Sequence, residues 1–578
     1  MAWWNNSGEF IPSTTSYPAV VMEGVGLSLA VVTTFKELYL ISKFIHRVII
    51  SVRNSKSERQ EREHEFHLEL LYLQSFGQLI ITNDGIMREG PLNNQWLQEV
   101  YSILERLRLQ CGDYAKLAMA QDNDYQTYSP YLHNSTATSK LIEFPLEIHT
   151  DDAPNNGALK FRPRKNFIFE WFMSSRSTAN WESWKWALFE RRKFERFLQE
   201  FKKWTSKIKE LVPLMLALHP RYNSSAVLES LISNEHSNRL GMAPHARLRK
   251  LTIEPAVHQT NFFLQNATLD ALLDRECLTM ASLSEPSSSL EKETDRVLVE
   301  FKKYGEDNAD ARPDTVTVDR VHQLASLLSS AGKDNLSTLS FRGIIDLPQQ
   351  SRYAFIFNFP SQAADVEPIS LHALMDSAAG SASRLTLPQR FHVAQDVTRA
   401  ISAFHVDGWV HKSIRSQSII FFQDKASQSS PLYADPFLVD FEFARPETAE
   451  TQYTFDNNLE RNLYRHPDRQ GAPTVSFRKM HDIYSLGVVL LEIGLWQTAM
   501  SIHQNATKKL KEGVMMNPHA MQNLYIEIAR RRLPHHMGPA YRDAVVKCLS
   551  CKSTDDDSRF AIIFYEEVVQ NIDVTKLQ

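Results

Sequence analysis

Three groups of residues in this 578-residue chain have types and spacings that can do chemistry. Cys548 and Cys551 stand at C-x-x-C spacing, that of a zinc half-site or a redox dithiol. A zinc site needs a second ligand pair, and Cys111 and Cys277 are isolated, so the pair reads as core packing. His535-His536 offers two imidazoles, but reads as a polar loop. The third group is richer. It comprises WVHKSIRSQSIIFF (Trp409 to Phe422) and, about twenty residues on, LVDFEFAR (Leu438 to Arg445). Asp440 can coordinate Mg²⁺ through its carboxylate. Arg415 can contact a phosphate. Ser413 carries no negative charge and has no useful basicity near pH 7.

Further along come YRHPD (Tyr464 to Asp468), DIYSLGVVLLEIGLW (Asp482 to Trp496), Cys548-Leu549 and Arg559. In this order and spacing the motifs resemble the C-lobe of a protein kinase. Kinase catalytic loops read H-R-D-x-x-x-x-N, where Asp orients and accepts the substrate proton and Asn holds a metal. The corresponding residues are His411, Lys412, Ser413 and Ser418, so the catalytic carboxylate and the Asn are both lost. Losing a positioned acid/base costs ~10²–10⁴ in rate, or roughly 3–5 kcal/mol of barrier. Asp440-Phe441-Glu442 stands where kinases have D-F-G, with Glu442 replacing a conformationally free glycine. Val299-Glu300-Phe301-Lys302 has V-A-I-K spacing, which makes Lys302 the phosphate-binding lysine and puts the Glu300 carboxylate near the adenine pocket. No glycine-rich loop precedes it, and the helix expected from Val318 to Leu328 holds no glutamate to pair with the lysine. The resemblance implies ATP and Mg²⁺ as cofactors, held by Lys302, Arg415 and Asp440. It also implies a buried Asp468–Arg559 pair, and an Asp482 that braces the catalytic-loop backbone, with Gly487 beginning the central helix. Scaffold positions persist while catalytic ones are eroded.

These residues need elements to position them. Strand-like runs fall at Val297 to Phe301, Phe341 to Asp346 and Tyr353 to Phe359. After Pro388 the sequence turns helical, with Ala394, Val397, Ile401 and Phe404 spaced at helical intervals. Few strands followed by many helices predict a two-lobed α+β domain over 293–575, its N-lobe ending at about 360. Residues 216–292 read as a linker or brace that includes the N-lobe start.

The first 215 or so residues read as an all-α bundle. Val32, Phe35, Leu38, Ile41, Ile45, Val48 and Val52 form one helix face, Phe66 to Ile80 a second, Trp96 to Leu107 a third and Phe194 to Ile208 a fourth. Between Lys160 and Glu210 the chain holds 14 Lys/Arg against 6 Glu, and five of its ten tryptophans. That balance reads first as a solvated face over an aromatic core, and second as a match for an anionic membrane surface. The apolar stretch Val25 to Phe35 is too short to span a bilayer. A net charge of −4 argues against a nucleic-acid partner. Four cysteines and no secretory signal suit a reducing, cytoplasmic setting. Gly24-x-Gly26, Phe35-Lys36 and the K-W-A-L…K-F-E segment resemble the HeLo domain of fungal heterokaryon-incompatibility proteins, over residues 20–215. That resemblance implies a helical effector bundle, of a kind that in some family members releases its first helix to permeabilise membranes, and a homo-oligomer is a further expectation. The combined expectation is a signalling pseudokinase that meets protein partners and controls the bundle. The alternatives are an atypical ATP-dependent Ser/Thr kinase, or a scaffold that binds no nucleotide.

Overall fold

The computed structural model of the protein describes residues 24–51, 57–81, 94–120, 191–254, 261–270, 278–285, 294–304, 312–330, 336–364, 366–376, 384–425, 435–449, 458–471, 475–508, 516–552 and 557–573. The chain divides into two compact units, 1–208 and 209–578, and has a multidomain α+β layout. Val52 and the polar stretch 121–156 lie outside the described residues, as do the side chain of Val48 and the tryptophans at 171, 181, 184 and 186.

The N-terminal unit packs helices α1 (Gly24–Ser51), α2 (Ser57–Phe76), α3 (Asn94–Ala120) and α4 (Arg191–Leu211, which runs on into the second unit). Its core is aromatic. Phe66 of α2 meets Phe194, Phe197 and Phe201 of α4 at centroid distances of 6.2, 5.6 and 5.1 Å, and Tyr114 of α3 stacks on Phe197 at 4.4 Å. Rings at these separations add directional contact to the area they bury. Trp204 is buried, with Arg106 and Lys207 each 4.8 Å from its ring centre, so here the basic residues and tryptophan join α3 to α4. After α2 the chain continues into a π-helical turn (Gly77–Ile81). A Cβ at Gly77 would lie 2.6 Å from the buried ring of Phe35. Close helix approach therefore dictates glycine there.

The second unit opens with short helices, among them α5 (Met242–Ile253), whose buried face of Met242, Ala243, His245, Ala246 and Leu248 lacks a strong apolar stripe. The brace expected at 216–292 is thus helical at first, and it ends in the first two strands. The sheet comprises β1 (Thr268–Asp270), β2 (Thr279–Ser284), β3 (Thr294–Lys303), β4 (Ser340–Leu347) and β5 (Arg352–Asn358), antiparallel in the order β1-β2-β3-β5-β4. Helix α6 (Thr315–Ser330) packs beside β4. Val297 and Val299 of β3 join Leu283, Ile345 and Ile356 in one core. Because side chains alternate along a strand, Glu300 and Lys302 face the other way.

Four helices follow among the longer elements: α7 (Leu387–Val406), α8 (Lys479–Leu495), α9 (Pro518–Leu549) and α10 (Asp557–Glu567). Every residue of α8 is buried, so it is the core element of this part. A Cβ on its Gly487 would lie 2.8 Å from Cβ of Cys548 on α9, which shows that Cys548 serves packing.

Close approach at Gly77 yields a comparison within one unit. Gly77→Ala should destabilise by about 1–3 kcal/mol through overpacking. Gly26→Ala, where a Cβ meets nothing within 4 Å, should gain up to about 1 kcal/mol of helix propensity. Urea denaturation of the two variants checks the opposite signs.

Candidate functional site

The loop that carries the candidate residues is built around one buried carboxylate. Asp482, in the first turn of α8, accepts from the backbone N–H of His411 at 2.7 Å and of Lys412 at 2.9 Å, and lies 3.1 Å from Nε2 of His405. Burial alone would raise its pKa, but the contacts with His405 and His411 hold it below the usual carboxylate value. Lys412 takes a left-handed φ of +74°, an uncommon state for a non-glycine residue, and the two N–H contacts to Asp482 fix it. Ser413 N–H donates to Nδ1 of His411 at 3.3 Å. Ser418, expected at a metal-ligand position, is committed to its own 3₁₀ turn. Its Oγ accepts from Arg415 N at 2.9 Å and donates to the Arg415 carbonyl at 2.8 Å.

The second strip of the site is Asp440-Phe441-Glu442, which β3 overlies. Glu300 reaches from β3 and accepts from the N–H of Asp440 at 2.8 Å and of Phe441 at 2.9 Å, one with each carboxylate oxygen. Asp440, also at a left-handed φ of +72°, is 2.7 Å from the guanidinium of Arg415 in a buried ion pair. Lys302 donates to the Glu442 carbonyl. Lys302, Arg415, Asp440 and the 411–418 loop, the candidate residues expected from the sequence, therefore lie together, and Asp440 pairs with Arg415 while Lys302 is taken by the Glu442 carbonyl. Phe441 packs on His411 at a centroid distance of 4.7 Å, tying the two strips together.

The electrostatics reflect this mutual burial. Burial first, and then the neighbouring Asp440 and Glu442 carboxylates, push Glu300 up to about 8, against the opposing effect of its two N–H donors. Burial lowers Lys302 to about 8, with Glu442 holding it from falling further. Glu442 is itself raised, mainly by burial.

The expectation of a buried Asp468 is corrected. It sits on a surface 3₁₀ turn (Pro467–Arg469) with its side chain 46% exposed, and its carboxylate lies 3.4 Å from Nδ1 of His466. Arg559 lies on α10, but its side chain is outside the described residues. The sequence reading passed over His405, which ends α7 one turn before the loop, and the neighbouring cluster of His466, His481 and three arginines. The signal for the arginines was their spacing of four, at 461, 465 and 469.

A family model described as a domain of unknown function (DUF7580) matches residues 318–576. The match takes in the loop, the Asp440 strip and α8, and it begins after Glu300 and Lys302. No curated protein matches the chain.

A carboxyl whose folded pKa is raised stabilises fully below its unfolded pKa, and loses that contribution as pH rises through the folded one. Glu300 should therefore make wild-type stability decline between about pH 4.5 and 8, by on the order of a few kcal/mol. Glu300→Gln should flatten that slope in urea denaturation series across this range.

Proposed function

We propose that the protein is a signalling regulator: a catalytically impaired kinase-like module that controls the N-terminal helical bundle as its effector, in contact with protein partners. The reading rests on the two sequence resemblances together with one observation. That observation is the Glu300 carboxylate bound to the Asp440 and Phe441 N–H groups while Asp440 is ion-paired to Arg415.

ATP and Mg²⁺ do not fit these residues. A triphosphate beside Lys302 would meet the buried Glu300 carboxyl and, nearby, the part-buried Glu442. Its metal would have to take Asp440 from Arg415, and breaking a buried pair typically costs 3–5 kcal/mol. Ser413 stands in place of the acid/base and Ser418 is folded into its own turn, so neither serves the role a kinase needs at its position. Its residues act as a latch. Lys302, Glu300 and the Asp440 strip form a charge cluster that fixes the sheet to the loop, and loss of that cluster would free the loop for a different conformation. This favours the nucleotide-independent reading over the atypical kinase.

For the bundle, we propose membrane contact by surface association. No single described helix is long and apolar enough to cross a bilayer. The effector role itself rests on the resemblance of residues 20–215 to HeLo domains. On the strength of that resemblance we propose a cytoplasmic protein that is recruited to membranes.

Thermal melting of the full chain with and without Mg-ATP tests the closed cleft. A ligand at ~100 Kd adds about 2.7 kcal/mol, so a rise of several degrees in the wild type would overturn the reading, and no shift is expected. Control of the bundle is tested with dye-filled anionic vesicles. Glu300→Ala, which breaks the latch, should raise leakage above that of the wild type, and identical leakage would sever the proposed control.

A further inference from the structure

Beside the latch, and sharing Arg415 with it, lies a cavity of about 320 Å³ between the 412–415 loop and residues of 461–471 and 477–485. Five cationic side chains line it: Lys412, Arg415, Arg461, Arg465 and Arg469. Neither aspartate nor glutamate is among its described lining residues. Arg415 is balanced by Asp440. Lys412 is not so balanced. Its ammonium sits 5.9 Å and 5.7 Å from the ring centres of Phe443 and Phe477, and the charges that act on it come from Arg445, Arg469, Arg320 and Lys302. Burial and these cations together bring it down to about 7.

A second observation is independent of the charge count. His481, which lines the same cavity and is 3% exposed, accepts from Arg478 N–H through Nδ1 at 2.8 Å. Its proton is therefore on Nε2, which is buried and has no hydrogen-bond partner among the described residues. An unsatisfied buried donor costs free energy unless something accepts from it. Here it adds a neutral N–H to a ring of cations.

We propose that this cavity binds the phosphate group of a phosphorylated side chain presented by a polypeptide. Guanidinium groups match phosphate oxygens in pairs, and arginine clusters are a recurrent means of recognising phosphorylated segments. The volume is at the lower limit of ligand sites. It suits one phosphorylated side chain, with the partly exposed Phe443 against its apolar stem. His466, Asp468 and His481 bring ligand atoms within 4.8 Å of one another and could in principle hold a metal ion. Arg461, Arg465 and Arg469, together with Lys412 in its protonated form, oppose a dication and favour a dianion, so the anion is preferred. The inference stands on these side chains and not on the proposed function.

The test is equilibrium binding of the full chain to glycine-flanked peptides carrying one phosphotyrosine or one phosphoserine, with the unphosphorylated peptides as controls. Binding should be saturable, require the phosphate and weaken with salt. It should fall at least tenfold in Lys412→Gln and in Arg461→Gln, each checked for folding by circular dichroism. If the variants fail to fold, the wild type serves. Acetylation of Lys412 at pH 7, followed by mass spectrometry, should be slowed by the phosphopeptide and not by its unphosphorylated control. Affinity unchanged within twofold in both variants, or labelling of Lys412 that the phosphopeptide does not slow, would overturn the proposal. So would binding only to vesicles that contain a phosphoinositide, which would assign the site to lipid. A melting shift with Zn²⁺ that is lost in His481→Gln would assign it to metal.

Discussion

One carboxylate on the sheet binds two backbone N–H groups of a loop, and the arrangement of the site follows from that contact. Glu300 spends both oxygens on Asp440 and Phe441. With those N–H groups occupied, the loop holds Asp440 at a left-handed φ against Arg415, and the Glu442 carbonyl turns to Lys302. Glu442 eases the burial of Lys302 and Asp440 pairs with Arg415, whereas Asp440 and Glu442 repel the Glu300 carboxylate, which its two N–H donors hold in place. A buried carboxylate, ammonium or guanidinium left alone would be strongly destabilising. The cluster is cooperative in that sense, and its members are not independent contributions.

Asp482 does the complementary work from the helical side. It gathers two N–H groups and His405 onto the first turn of α8, the most deeply buried helix of its unit, and so gives the 411–418 loop a fixed reference. His411 and Phe441 then couple the two loops through ring contact. The same fixed loop presents Lys412 to the neighbouring cationic cavity, so the latch and the cavity share one support.

Much of this was legible in the sequence for identifiable reasons. The strand-like run at 297–301 and the V-A-I-K spacing marked β3 and Lys302, and the strand's period of two then puts Val297 and Val299 in the core and Glu300 and Lys302 on the opposite face. The carboxylate of Asp482 and the glycine at 487 marked the start of a central helix, and the structure gives both a packing role. Other features were hidden. The helix at 242–253 buries small residues and a histidine in place of a leucine stripe, so its sequence looked like a linker. The Arg415–Asp440 pair joins segments 25 residues apart through a turn whose geometry no local pattern encodes. Asp468 was expected to be buried, but a short surface turn leaves it beside His466. In the N-terminal unit the helical periods were clear, whereas the need for glycine at 77 comes from the approach of Phe35, which is a tertiary fact.

The latch makes a direct demand on two backbone protons. Hydrogen–deuterium exchange of the full chain, resolved to the amides of Asp440 and Phe441, measures it. The account predicts that both exchange as slowly as amides in the α8 core, and that Glu300→Ala speeds these two while leaving α8 protected. Exchange of both amides in the wild type at the rate of exposed loops would contradict it.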